Sequence, residues 1–215
     1  MAQLIDFVLH IDSHMVNIVN TFGGWSYGIL FLIVFVETGA VILPFLPGDS
    51  LLFAAAALAA NANYHLSIWL FMGVFLLAAV GGDSLNFLIG KRVGIALTRH
   101  PFFGRFIKEK NLRSARDFFE KHGMIAIFLA RFMPIIRTFA PFVAATSDYE
   151  YSSFIRYNFA AAVCWVLLCC GGGFFFGNIT FVKAHFSLVV IGIIVVSLIP
   201  AFIGLLKSRG QATED

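Results

Sequence analysis

The chain has 215 residues, 60% hydrophobic and 13% charged, against roughly 25% charged in an ordinary soluble domain. So little polar material cannot cover a globular surface, which excludes an ordinary soluble enzyme and points to a bilayer as solvent. The net charge is +3, but no Lys or Arg precedes Lys91, nine of the fifteen lie between Lys91 and Lys121, and Lys207 and Arg209 sit near the C-terminus.

Without an early basic region, no cleavable signal is expected. Residues 4–20 mix apolar side chains with Asp6, His10, Asp12, His14 and Asn17. That mixture predicts an amphipathic helix lying at an interface. His10 and His14 share a helical face with Asp6, a spacing that can bind metal. No further ligands join them, so water-facing polar residues are the better reading and no metal is expected.

Residues 29–60 are apolar but interrupted by Glu37, Pro44, Pro47, Gly48 and Asp49. The run is too long for one crossing of about 20 residues and too broken for a straight helix. Residues 66–90 form a plausible full span, with Asp83 and Asn86 near its end. Residues 91–122 are a basic loop with a short surface helix from Asn111 to Lys121. A nucleic-acid patch is the other reading of that loop, but flanking membrane segments favour retention on the cytoplasmic side. Residues 124–151 are again apolar and broken, by Arg131, Pro134, Arg137 and Pro141. Residues 158–177 and 188–206 read as spans. Cys164, Cys169 and Cys170 fall within one of them and read as small packing residues rather than a disulfide framework. Trp165 and the many phenylalanines read as lipid-facing or packing residues, and Gly171–Gly173 as a site of close packing or a bend. Nothing resembles a linker, so a single membrane domain over 1–215 is expected.

The basic loop and the C-terminal tail are assigned to the cytoplasm. Counting back from the tail, 188–206 runs inward, 158–177 outward and 66–90 inward. The segment 124–151 then begins and ends on the cytoplasmic side, so it is predicted to be a re-entrant hairpin. By the same logic 29–60 dips in from the outer face, unless it is two tilted full spans. The predicted fold is all-α and integral to the membrane. It is an inverted repeat of two re-entrant helical hairpins plus transmembrane helices, with an N-terminal interfacial helix. Aligning Pro44-Phe45 with Pro141-Phe142 places Glu37 opposite Pro134 and Ala40 opposite Arg137, so each half carries a charged, proline-interrupted segment before a span.

An ionisable side chain inside a membrane segment costs roughly 2.5–3.5 kcal/mol on insertion scales unless paired or hydrated. Glu37, Asp49, Asp83, Arg131 and Arg137 are therefore the candidate functional residues. A straight helix would hold Glu37 and Asp49 about 18 Å apart. A turn through Pro44, Pro47 and Gly48 folds the chain back and can bring both to one depth. Asp49 or Ser50 can then cap the returning helix, whose N-terminal amides favour an anion. In the second broken segment Arg131 and Arg137 bracket Pro134, with Pro141 beyond, and both prolines are read as hairpin-turn residues. Arginine suits bidentate recognition of carboxylate or phosphate. Arg131, Arg137 and Ser50 are thus read as substrate-binding, and Glu37, Asp49 and Asp83 as proton-coupling. Internal salt bridges that only fasten the hairpins together are the competing reading. No nucleophile, acid–base or zinc arrangement is visible, so neither an enzyme nor a cofactor is expected.

The runs FVETGAVILPFLPGDSLLF, GGDSLNFLIGKRVG, FFEKHG and ARFMPIIRTFAPFVAA resemble the DedA family of bacterial inner-membrane proteins, the VTT or SNARE-associated domain group. The resemblance covers nearly the whole chain. It implies paired re-entrant hairpins, a multi-pass inner-membrane location, and movement of undecaprenyl phosphate or a related phospholipid coupled to protons. The family's acidic pair falls on Glu37 and Asp49 and its arginine pair on Arg131 and Arg137. One departure is Ala145, where many relatives carry glycine, placed here in a turn. The leading expectation is a lipid flippase whose partners are lipid and protons, not nucleic acid, with homo-oligomerisation left open. The alternatives are a proton-coupled cation antiporter, which would need the carboxylates but not the arginines, and a non-catalytic scaffold.

Overall fold

The computed structural model describes residues 11–39, 48–93, 109–147 and 149–177, with a few isolated residues beyond. Among them the chain is helical and holds no strand: α1 (Ile11–Phe22), α2 (Ser26–Gly39), α3 (Gly48–Ala59), α4 (Ile68–Val93), α5 (Glu109–His122), α6 (Ile125–Ala130), α7 (Pro134–Thr146) and α8 (Tyr151–Phe176). Short 3-10 turns at Gly23–Trp25 and Ala62–Tyr64 precede α2 and α4.

Three apolar helical runs are long enough to cross a bilayer: His14–Gly39, Ile68–Arg92 and Tyr151–Phe176. At 1.5 Å per residue the second and third each span roughly 38 Å, more than the ~30 Å hydrocarbon layer. The first is divided at Gly23, whose φ of +52° is left-handed and cannot continue a right-handed helix. Gly48–Ala59 is apolar but shorter.

The long helices start and stop for local reasons. Lys91 and Arg92 lie exposed in the last turn of α4, where positive charge meets the negative end of the helix dipole. At the start of α7, Met133 is extended, as the residue before a proline must be, and Pro134 takes the first helical position, where no N–H is needed. The predicted span 158–177 begins seven residues earlier than expected, at Tyr151, because Glu150 is the extended residue that opens α8.

Contacts between the helices fix their directions. Along α2 and α4, Ser67 N–H donates to the Tyr27 hydroxyl at 2.9 Å, and eleven residues on along both helices Thr38 Oγ1 lies 3.4 Å from the Ala78 carbonyl. These helices therefore run parallel. Gly82 permits their approach, since a Cβ there would strike the Thr38 hydroxyl and the Phe35 carbonyl. Along α3 and α8, Trp165 bonds to Asp49, Gly173 faces the Phe53 backbone and Gly177 faces Ala57, so α3 runs parallel to the later half of α8. Along α4 and α7, Asn86 Nδ2 donates to the Thr138 carbonyl at 2.9 Å and Gly90 faces Phe142 and Ala145, so α7 runs parallel to the later half of α4. The stacking of Phe87 on Phe154 sets the end of α4 beside the start of α8, antiparallel to it. It follows that α2 and α3 run in opposite directions.

Two apolar cores result. One joins Met15, Leu30, Val34, Leu51, Leu52, Phe71, Phe75 and Trp165. The other joins Phe87, Phe119, Ile127, Phe139, Phe142 and Phe154. The surface of the long helices stays apolar where it is exposed, at Trp25, Trp69, Leu77, Leu168 and Phe175, as expected of a lipid-facing boundary.

Several expectations are modified. Residues 4–10 of the predicted interfacial helix, the turn prolines Pro44 and Pro47, and most of the span 188–206 lie outside the described residues. The helix over 11–22 is not wholly peripheral, because Met15 is buried in the first core and Val19 is buried as well. The surface helix of the basic loop runs Glu109–His122 and anchors through Phe119, which is buried in the second core. Pro141 is not at a turn: it lies inside α7, and the chain turns instead at residues 131–133. Ala145 likewise sits in the last turn of α7, packed against Gly90, not in a loop.

Candidate functional site

Glu37 stands in the last turn of α2 and Asp49 in the first turn of α3. Arg137 projects from the first turn of α7 and reaches both: Nη2 pairs with Glu37 Oε1, and Nη1 donates to Asp49 Oδ1 at 3.1 Å. Three separate helices thereby close on one guanidinium. Glu37 is 3% exposed and Arg137 is mostly buried, so these charge-assisted bonds form where water offers little competition. Gly48 makes the arrangement sterically feasible. A Cβ at that position would fall on the Glu37 carboxylate.

Arg131, in the turn after α6, builds a second group. Its Nη1 donates to Asp83 Oδ2 at 2.6 Å and to Asn158 Oδ1 at 3.1 Å. All three residues are buried. Removing one member of such a buried pair leaves the other charge uncompensated, which costs far more than a surface ion pair.

Trp165 of α8 joins the two groups. Its Nε1–H donates to Asp49 Oδ1 at 2.7 Å, and the guanidinium carbons of Arg131 and Arg137 lie 5.0 and 5.5 Å from its ring centroid. Both distances fall within cation–π range. A cavity of about 20 Å³, open to the centres of water-sized molecules, lies against these side chains; Thr38, Asp83, Arg131, Arg137, Thr138 and Asn158 are among its lining. That is room for one or two waters or a ligand oxygen. Glu37 Oε2 and Arg131 Nε are buried without a hydrogen-bond partner among the described residues, an acceptor and a donor each left open.

Of the residues singled out by sequence, the structure brings Glu37, Asp49, Asp83, Arg131 and Arg137 together. Ser50 is fully buried on the first turn of α3, Gly48 abuts Glu37, Pro134 opens α7, and Pro141 lines the cavity from within that helix. Trp165, Asn158, Asn86 and Thr138 were missed. The signal lay in α8, where Asn158, Ala161, Ala162 and Trp165 recur at helical spacing and all four are buried. Trp165 is thus not lipid-facing; it is 3% exposed. Among the described residues, no group of three His, Cys, Asp or Glu side chains is placed to hold a metal ion.

An all-helical fold with bilayer-length apolar helices and ion pairs in its interior is that of a membrane protein built around a charged centre. Residues 46–175 match the family described as the VTT domain. The chain is 46% identical to protein DedA of Escherichia coli K12 over 209 residues, 97% of this chain and 95% of the relative. It is 38% identical over 172 residues to an uncharacterized membrane protein of Mycobacterium leprae, covering 80% and 76% of the two chains. It is 30% identical over 180 residues to inner membrane protein YghB of Salmonella typhimurium, covering 84% and 78%. No solved structure matches. The chain belongs to the DedA family of VTT-domain membrane proteins.

Proposed function

We propose that this protein is a transporter that carries the phosphate-bearing head of a lipid across the bacterial inner membrane, with undecaprenyl phosphate or a related phospholipid as cargo. The observation that carries the proposal is Arg137 held by Glu37 and Asp49 from two other helices, inside apolar segments. A phosphate offers a guanidinium the same bidentate acceptor as a carboxylate. An incoming head group can therefore exchange with Glu37 and Asp49 at Arg137, and with Asp83 at Arg131. A displaced carboxylate in apolar surroundings takes up a proton, which couples the two movements. Three carboxylates face two arginines here, which supports proton exchange at the centre and also favours, as a second reading, a proton-coupled cation antiporter.

In this reading α2–α3 and α6–α7 are hairpins that enter from opposite leaflets. The opposed directions of α2 and α3, and the pairing of α3 with the later half of α8 and of α7 with the later half of α4, support it. Inverted repeats meeting at a midplane site are a common plan for alternating access. The lipid tail stays in the bilayer, so only a small polar cavity is required. The loop 91–122 and the C-terminus are cytoplasmic in this orientation.

The test is translocation of labelled polyprenyl phosphate by proteoliposomes. Arg137→Ala is expected to slow it more than tenfold, the scale set by losing a charged hydrogen-bond pair of about 1.5–3 kcal/mol. Transport at the wild-type rate would remove the proposed role. Cation flux that persists in Arg137→Ala and stops in Asp49→Asn would establish the antiporter instead.

A further inference from the structure

Trp165 is the one described side chain that touches members of both ion-pair groups through its ring and its N–H. Buried indoles ordinarily find a hydrogen-bond partner for their N–H. This one is spent on Asp49, a carboxylate that Arg137 also holds, and the ring lies against Arg137 as well as Arg131. Each arginine thus has two restraints of different kind: a carboxylate, which an anion can replace, and an aromatic face, which an anion cannot.

We propose that Trp165 is a positioning residue of the anion site, holding both guanidiniums in place while their carboxylates are exchanged for an anionic lipid head. The proposal rests on the reading of the site as a phosphate-binding one. Without the ring, Arg137 released from its carboxylates is free to follow the ligand and Arg131 keeps only its bond to Asn158, so the site loses its geometry between turnovers. The N–H adds direction. When Asp49 leaves, the indole donor faces the place the carboxylate oxygen occupied and is available to a phosphate oxygen.

The residue carries its own reporter. The chain has three tryptophans, and Trp25 and Trp69 are 80% and 78% exposed while Trp165 is buried. In the full chain carrying Trp25→Phe and Trp69→Phe, emission comes from Trp165 alone and responds to charge beside its ring. The protein is mixed with phosphatidylcholine vesicles with or without a polyprenyl monophosphate, and retained labelled lipid is counted in the same samples. The expected result is an emission change that saturates in step with retained lipid. With the native tryptophans otherwise in place, Trp165→Phe, which keeps an aromatic face, is expected to retain the lipid within about threefold of wild type. Trp165→Leu, which keeps neither face nor donor, is expected to lose about tenfold or more.

Lipid retained with no change in Trp165 emission would overturn the inference and leave the proposed function standing. So would Trp165→Leu binding as wild type does. Absence of retained lipid in the wild type would overturn the phosphate site itself, and this inference with it. Should Trp165→Leu fail to fold, the emission titration and the Phe variant decide the matter alone.

Discussion

Asp83→Asn is the most informative single perturbation of the buried charge. In the native protein Arg131 has three supports: Asp83 at 2.6 Å, Asn158 at 3.1 Å and the Trp165 ring at 5.0 Å. The substitution removes the only formal negative charge in direct contact with that guanidinium among the described residues, and nearly preserves side-chain shape. Breaking a buried pair in this way costs about 3–5 kcal/mol, because the surviving charge stays desolvated. The Asn158 bond and the Trp165 contact are present in both proteins and do not offset that loss. A loss of about 3–5 kcal/mol lowers the melting midpoint by roughly 6–20 °C in a chain of this size. The assay is thermal unfolding in one detergent at one scan rate, since unfolding of such proteins is commonly irreversible. The double replacement Asp83→Leu with Arg131→Met removes both charges and is expected to recover most of the loss. A midpoint for Asp83→Asn within about 2 °C of wild type, or a double variant no better than the single, would refute the reasoning.

Three further outcomes are expected. Gly48→Ala places a methyl group on the Glu37 carboxylate; lipid transport is expected to fall about tenfold or more while the protein still inserts, measured in proteoliposomes. Gly90→Ala drives a Cβ into the Phe142 carbonyl and Ala145; the α4–α7 contact is overpacked by about 1–3 kcal/mol, seen as a lower melting midpoint. In a protein whose Cys164, Cys169 and Cys170 are replaced by serine, Asn63→Cys and Ser147→Cys are expected to react with an impermeant maleimide from opposite faces, and Lys121→Cys from the same face as Ser147→Cys. Labelling of Asn63→Cys and Ser147→Cys from one face would end the opposed-hairpin reading.

The charged centre was legible because each ionisable residue stands alone in an apolar run. Such a residue needs a partner, and Glu37, Asp49, Asp83, Arg131 and Arg137 are one another's partners. Trp165 was illegible for the converse reason: an indole in an apolar helix looks the same whether it faces lipid, as Trp69 is exposed to do, or a guanidinium. Asn158, two turns earlier, lies in the same span read from sequence, but which face of that span is buried shows only once α8 is packed against its neighbours. Proline was a poor guide to turns. Pro134 opens a helix and Pro141 sits within the same one, because a helix whose neighbours surround it can accommodate a missing N–H. The break at Gly23 was not read either, since glycine between apolar runs does not reveal the sign of its φ.

The division of the apolar interior into two clusters has a mechanical consequence. Dry side chains interlock and resist shear, so each cluster travels as a block; the layer between them is stitched by bonds that can be undone one at a time and remade to other oxygens. Helices α4 and α8 thread both blocks; in α4 the paired glycines Gly81 and Gly82 fall near that seam, beside Asp83, whereas α8 crosses it near Asn158, where it carries no glycine. Slippage between the blocks therefore has to be taken up as flexing of α4 at its thinnest point.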